Sequence, residues 1–253
     1  MPDAIVIIDG LATAYSQSGK GPDVLLLHGW GDSRKTFSGL TRSLEAKYRL
    51  TALDLPGFGG TEPPKKPWDL TDYSAFLAAF CKKLELKPKF IVGHSNGGAL
   101  AIHALSLGKL SASKLVLLAP SGVRSPKRLK RAVIKGIAKT GKAATFWLPT
   151  TTKQKLQTVL YGTIGSDMLI TPALKETFKR TVRQDIQSDA KKLQIPTLLI
   201  YGKDDKATPI NEVGMVLKAC IKGSIMEQVE AAGHFVHHDS PDRVHKLTRD
   251  FLA

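Results

Sequence analysis

The sequence predicts an α/β fold with a doubly wound, mostly parallel sheet of eight strands and a helical insertion. Short apolar runs alternate with helical patterns in the first half of the chain and again near its end. Two runs, VLLLH from Val24 and LVLLA from Leu115, are continuously apolar, as strands are when helices cover both faces of a parallel sheet. Between about Ser125 and Asp189 the strand pattern stops, and glycines and prolines interrupt helical patterns.

Each element follows from residue types and periodicity. Eight segments have the length and composition of strands: 5–8, 12–16, 24–28, 49–53, 90–92, 115–119, 197–201 and 224–229. Five segments have helical patterns: 35–46, 72–86, 96–107, 209–220 and 241–252. Asp72 is expected to cap the second helix or to lie in its first turn. The order of these segments predicts one core formed by residues 1–121 and 193–253.

Residues 122–192 are predicted to form a basic helical lid, inserted in the core and not an independent domain. This segment contains 16 lysines and arginines but only four acidic residues, and it carries most of the net charge of +15. Leu129, Val133 and Ile137 form an apolar stripe at helical spacing, bordered by basic side chains. Two interpretations remain open: a lid with a solvated outer face, or a surface that attracts an acidic partner or an anionic membrane surface.

The segment Gly93-His94-Ser95-Asn96-Gly97-Gly98 lies between an apolar strand and a helical pattern. A strand that turns so tightly into a helix needs glycine two residues before and two residues after the central serine. Ser95 would stand exposed at the carboxyl edge of the sheet, beside the N–H groups of the helix. We therefore interpret Ser95 as a nucleophile.

A serine hydroxyl needs a base, and an imidazole base needs an acceptor that fixes its tautomer. His234 follows the strand 224–229, and two acids, Asp204 and Asp205, follow the strand 197–201. The carboxyl ends of parallel strands meet at one edge, where ligands of open α/β sheets bind. The order serine, acid, histidine therefore predicts a catalytic triad, with the choice between the two acids left open.

The turn His28-Gly29-Trp30-Gly31 follows the third strand. Glycines there let the backbone approach a substrate carbonyl, so the N–H groups of Trp30 and Asn96 are expected to form an oxyanion hole. Trp30, Asn96 and Phe235 are also expected to contact the substrate, whereas His28 is expected to support the turn.

The segments HGWG, DLPGFGG, GHSNGG, GKDDKATP and AAGHF together resemble the α/β-hydrolase superfamily, and HGWG and DLPGFG look like its pimeloyl-[acyl-carrier-protein] methyl ester carboxylesterase group. In that superfamily the acid stands three residues after the glycine and four before the proline, which selects Asp205 over Asp204. The resemblance implies a serine hydrolase that cleaves a carboxylic ester or thioester through an acyl-enzyme. It also suggests an acyl carrier protein as an acidic partner of the lid.

Two alternatives to this function remain open. The same triad serves carbon–carbon bond hydrolases and cofactor-free perhydrolases, and a non-catalytic ligand receptor can retain the scaffold.

We expect no cofactor and no metal, because neither Cys81 nor Cys220 lies in a ligand spacing. No recognition motif supports nucleic-acid binding. The chain has no run of about 18 apolar residues and no signal-peptide pattern, so it is expected to be cytoplasmic and not transmembrane.

Overall fold

The computed structural model describes residues 3–124 and 172–253 and contains one sheet of eight strands in the order β1-β2-β4-β3-β5-β6-β7-β8. β1 pairs with β2 and β2 with β4 in antiparallel fashion, and the other pairs are parallel. The predicted eight-stranded, mostly parallel sheet is confirmed. The strands are β1 Asp3–Ile8, β2 Leu11–Ser18, β3 Asp23–Leu27, β4 Arg49–Leu53, β5 Phe90–His94, β6 Lys114–Leu118, β7 Thr197–Gly202 and β8 Ile225–Val229.

Helices cover both faces of this sheet. Those of the described residues are α1 Ser38–Leu44, α2 Leu70–Lys83, α3 Asn96–Ser106, α4 Pro172–Arg183, α5 Gln187–Ala190, α6 Met215–Cys220, α7 Val236–Asp239 and α8 Pro241–Leu252. A 3₁₀ turn, Arg34–Phe37, precedes α1, and a π turn, Ile210–Gly214, precedes α6. None of the described helices combines the length and the apolar composition needed to cross a bilayer.

The side chains of β3 alternate between two hydrophobic cores. Leu25 and Leu27 belong to the core beneath α2 and α3, whereas Val24 and Leu26 belong to the core beneath α1 and α8. This alternation explains why the strand is apolar throughout, since both of its faces are covered.

The second helix begins two residues earlier than the sequence pattern predicts. Asp69 is its N-cap and accepts hydrogen bonds from the N–H groups of Thr71 and Asp72, and the carboxylate of Asp72 accepts from the N–H of Asp69. Asp72 therefore lies in the first turn of the helix, which was one of its two predicted positions, and Asp69 provides the cap.

Most of the predicted lid, including the apolar stripe from Leu129 to Ile137, lies outside the described residues. Its described C-terminal part packs on the core: the side chain of Ile186 is fully buried, and the carboxylate of Asp189 lies 2.7 Å from Nδ1 of His103 in α3. α4 lies against the loop before α2, where the hydroxyl of Thr177 accepts a hydrogen bond from the N–H of Trp68.

Candidate functional site

The turn between β5 and α3 holds Ser95 in a strained backbone conformation, with φ 49° and ψ −115°. Glycine is required on both sides of it. A Cβ on Gly93 would lie 2.7 Å from the carbonyl oxygen of Gly97, and a Cβ on Gly97 would overlap the carbonyl of Leu27. Positive φ is rare for residues with side chains and persists where the surrounding structure enforces it.

Three side chains form a continuous hydrogen-bonded relay at the carboxyl edge of the sheet. The Nε2 atom of His234 lies 2.9 Å from the Oγ atom of Ser95, and its Nδ1 atom lies 2.9 Å from an Oδ2 atom of Asp205. Because a carboxylate only accepts hydrogen bonds, the proton is on Nδ1, and Nε2 can accept the proton of the serine hydroxyl. This arrangement can activate a serine for nucleophilic attack.

Asp205 is buried, whereas the neighbouring Asp204 is exposed to solvent. The carboxylate of Asp205 accepts hydrogen bonds from the N–H groups of Ala207 and Thr208, at 2.7 and 2.9 Å, and from the Thr208 hydroxyl at 2.7 Å. Burial raises the pKa of Asp205, but hydrogen bonds from His234 and Thr208 outweigh it, so that the pKa is lowered overall. Asp205 is therefore held as the carboxylate.

Thr208 is a site residue that the sequence analysis did not single out. Its hydroxyl lies between the Oδ2 atom of Asp205, the carbonyl of Ala119 at 3.1 Å and the Nδ1 atom of His234 at 3.3 Å. Its position three residues after Asp205 could have indicated this role, because from there both the hydroxyl and the N–H of a threonine can donate hydrogen bonds to the carboxylate.

The loops that carry the acid and the base are joined directly. The N–H of Lys203 donates to the carbonyl of Val229 at 2.9 Å, and the N–H of Asp204 donates to the carbonyl of Ala232 at 2.9 Å. Gly202 permits this approach, because a Cβ there would overlap the carbonyl oxygens of Ala232 and Gly233. Asp205 and His234 are thus placed by one continuous piece of backbone structure.

The turn after β3 lies against Ser95. A Cβ on Gly29 would be 3.2 Å from the Cβ of Ser95, so the backbone beside Trp30 closely approaches the serine. His28 is fully buried and supports this turn: its Nδ1 atom lies 2.7 Å from the carbonyl of Gly29, and its Nε2 atom accepts from the N–H of Leu55 at 2.9 Å. Asn96 is the first residue of α3, and N–H groups of a first helical turn have no acceptor within the helix.

Two aromatic side chains of the predicted substrate site have different surroundings. The Trp30 ring packs between Phe58, with ring centroids 4.8 Å apart, and Phe178 of α4, at 5.1 Å. Phe235 is 43% exposed beside the His234 ring. Phe235 is therefore the more accessible of the two apolar surfaces, while Trp30 links the turn to the described part of the predicted lid.

Three further histidines surround His234. The rings of His94 and His234 have centroids 5.0 Å apart, those of His94 and His237 4.8 Å, and those of His237 and His238 4.4 Å. The Nε2 atom of His237 lies 2.9 Å from the hydroxyl oxygen of Thr36, and the Nε2 atom of His238 lies 2.8 Å from it. Burial lowers the pKa of His94 to about 3 and that of His237 to about 2, with the neighbouring imidazoles adding to the effect. The members of this cluster come from two separate segments, 94 and 234–238, and no pattern in the sequence predicts that they meet.

Comparison with known proteins places the chain in a family. A model described as "Alpha/beta hydrolase family" matches residues 24–247. The chain belongs to this family. The hydrolase is 29% identical to the pimeloyl-[acyl-carrier protein] methyl ester esterase of Neisseria meningitidis over 90% of its own chain and 76% of the relative. It is 26% identical to the monoacylglycerol lipase abhd6-B of Xenopus laevis, over 95% and 78% of the two chains.

A solved structure shows the same fold. The bromoperoxidase from Bacillus anthracis superposes on the hydrolase with a TM-score of 0.76, covering 99% of both chains at 20% identity. The family match confirms the predicted superfamily, and this structure confirms the predicted fold. Within residues 3–124 and 172–253, no group of three or more histidine, cysteine or acidic side chains is arranged to hold a metal ion.

Proposed function

We propose that this hydrolase cleaves a carboxylic ester or thioester with Ser95 as nucleophile, His234 as general base and acid, and Asp205 as the residue that orients His234. The observation that carries the proposal is the unbroken relay from Ser95 through His234 to the buried carboxylate of Asp205. Nucleophile, base and orienting acid in one such chain are what acyl transfer requires.

The reaction follows from this geometry. The Oγ atom of Ser95 forms a bond to the carbonyl carbon while its proton passes to Nε2 of His234. The tetrahedral intermediate then expels the alcohol or thiol, which takes that proton, and leaves an acyl-serine. Water attacks the acyl-serine with His234 again as base, which releases the carboxylic acid and restores Ser95.

The N–H groups of Trp30 and Asn96 are the proposed oxyanion donors. The close approach of Gly29 to Ser95 and the place of Asn96 at the start of α3 support this assignment. Removing one such donor generally costs about 3 to 4 kcal/mol of transition-state stabilisation. The proposed substrate contacts are the exposed ring of Phe235, the indole of Trp30 and the side chain of Asn96.

An ester is the favoured substrate class because the names of both curated relatives above describe ester cleavage. The experiment is a substrate panel of aryl esters, methyl esters and acyl thioesters, set beside vinylogous diketones and a peroxide-dependent bromination assay. The proposal expects turnover of esters or thioesters that disappears in Ser95→Ala. Preferential turnover of diketones or bromide would instead assign one of the alternative reactions to the same triad. Ligand binding without turnover of any substrate would favour a receptor.

We further propose that residues 122–192 form an inserted lid whose basic surface attracts an acidic partner, either an acyl carrier protein or an anionic surface. The described part of this segment supports the proposal, since α4 carries Lys175, Lys179, Arg180 and Arg183 and contacts Trp30 through Phe178. The guanidinium of Arg180 donates to the carbonyl of Pro67, directly after two exposed lysines, Lys65 and Lys66.

Charge reversal tests the lid surface. The triple variant Arg128→Glu, Lys130→Glu and Arg131→Glu is expected to raise KM for a carrier-linked substrate at low salt and to leave turnover of a small neutral ester unchanged. The matched control reverses the same number of charges on the exposed Lys82 and Lys83, at the C-terminal end of α2, and Lys87, in the loop that follows. An equal effect of both triple variants would show that net charge alone, not this surface, matters.

A further inference from the structure

His94 lies between the two halves of the site. It is the last residue of β5, directly before Ser95, and only 1% of its surface is exposed. One edge of its imidazole faces the loop of the base, with Nε2 3.1 Å from the carbonyl oxygen of His234. The other edge faces the turn after β3, where a Cβ on Gly29 would be 3.0 Å from Nδ1.

These contacts determine the tautomer of His94. A carbonyl oxygen only accepts hydrogen bonds, so Nε2 must carry the proton. Nδ1 is buried and has no hydrogen-bond partner among the described residues. The burial that lowers the pKa of this group to about 3 keeps the ring neutral. A neutral ring adds no positive charge next to His234 when that residue takes the serine proton.

We propose that His94 is a positioning residue that fixes the separation between the His234 loop and the Gly29–Trp30 turn, and therefore between the base and the oxyanion donors. Its rigid ring spans the gap between the two segments: it anchors the His234 backbone by one hydrogen bond and packs against Gly29 on the opposite edge. The inference rests on the proposed function, because the geometry it maintains is that of acyl transfer. A misplacement of about 1 Å in such a site costs on the order of 100-fold in rate.

Two substitutions separate positioning from packing. His94→Gln keeps an N–H donor at about the reach of Nε2, whereas His94→Leu fills a similar volume without a donor. His94→Leu is expected to lower kcat for an aryl ester by roughly 10- to 100-fold with KM changed less than about threefold, and His94→Gln to recover most of that loss. His94→Asn, whose amide is too short to reach the carbonyl, replaces the leucine variant if that variant does not fold.

A control variant comes from the next helix. His103→Leu also removes a hydrogen-bonding imidazole, since the half-buried His103 is bonded to Asp189, but it lies away from Ser95 and is expected to keep wild-type kcat. Equal loss of kcat in His94→Gln and His94→Leu, or wild-type kcat in His94→Leu, would overturn the positioning role.

A readout without substrate distinguishes this inference from the proposed function. The Nδ1 proton between His234 and Asp205 is expected to give a low-field NMR signal that persists in His94→Gln and is lost or broadened in His94→Leu. If wild-type protein cleaves no ester, the proposed function fails, but this signal still decides the role of His94: an unchanged signal in His94→Leu overturns it.

Discussion

Acidification is expected to unfold this hydrolase by protonating imidazoles that the fold buries in the neutral form. Two of these imidazoles are His94 and His237, whose pKa values fall from 6.5 to about 3 and about 2, first because of burial and then because of neighbouring imidazoles. Nδ1 of each ring is buried without a hydrogen-bond partner among the described residues, so a proton added there would gain no acceptor.

The sign and size of the effect follow from proton linkage. Below pH 6.5 the unfolded chain binds protons at both histidines and the native protein does not, so stability is complete above pH 6.5 and falls as pH decreases. Each group contributes a slope of about 1.4 kcal/mol per pH unit. Between pH 7.5 and pH 5 the pair should remove about 4 kcal/mol, a large share of the 5 to 15 kcal/mol typical of a domain. The lowered pKa values of His28 and His245 act in the same direction.

Urea unfolding at half-unit intervals from pH 7.5 to pH 5 measures this slope. The range lies above the pKa of Asp205, which is lowered from 3.8, so this carboxylate contributes little to the slope. His237→Gln removes one titrating group and is expected to reduce the slope by about one proton, and the double variant with His94→Gln by about two. A free energy of unfolding that stays constant between pH 6.5 and pH 5, or an unchanged slope in both variants, would refute the reasoning.

Two further predictions concern the acid of the relay. Asp205→Asn should lower kcat by about 10⁴-fold because an amide favours the wrong imidazole tautomer, while Asp204→Asn, at the exposed neighbour, should stay within about twofold of wild type; equal losses would assign the role differently. Thr208→Val should lower kcat/KM by about 10- to 100-fold, since a hydrogen bond to a charged group contributes about 1.5 to 3 kcal/mol, and Thr208→Ser should restore activity. Ester kinetics measure both, and a serine variant as impaired as the valine variant would contradict the account of Thr208.

The parts of the fold that sequence predicts best are those in which local pattern and tertiary burial agree. The run Val24–Leu27 is apolar because both of its faces are covered, and the predicted and observed strands coincide there to within one residue. β5 extends to His94, two residues beyond the predicted end, because its pairing with β6 continues through Gly93 and His94. The prediction ended too early because glycine and histidine carry no strand signal.

The sequence predicts the candidate site best around Ser95, because the spacing of the glycines there reflects a steric requirement. Gly93 and Gly97 are required by backbone contacts around Ser95, so the motif can be read locally. Neighbouring acids are not separated by such a local steric need: Asp205 is chosen from the sequence by resemblance, and in the structure its burial and its hydrogen bonds to His234 and Thr208 distinguish it from Asp204. The histidine cluster around His94 depends on contacts between residues about 140 positions apart, for which no periodicity gives a signal.

The central claim is that Ser95 is a nucleophile activated by His234. Covalent labelling with a fluorophosphonate, followed by mass spectrometry of the peptides, tests it directly. The account predicts one added phosphonyl group per chain, located on Ser95, with no labelling in Ser95→Ala and a labelling rate lowered by several orders of magnitude in His234→Ala. Labelling of another residue, or labelling of Ser95 at an unchanged rate without His234, would contradict it.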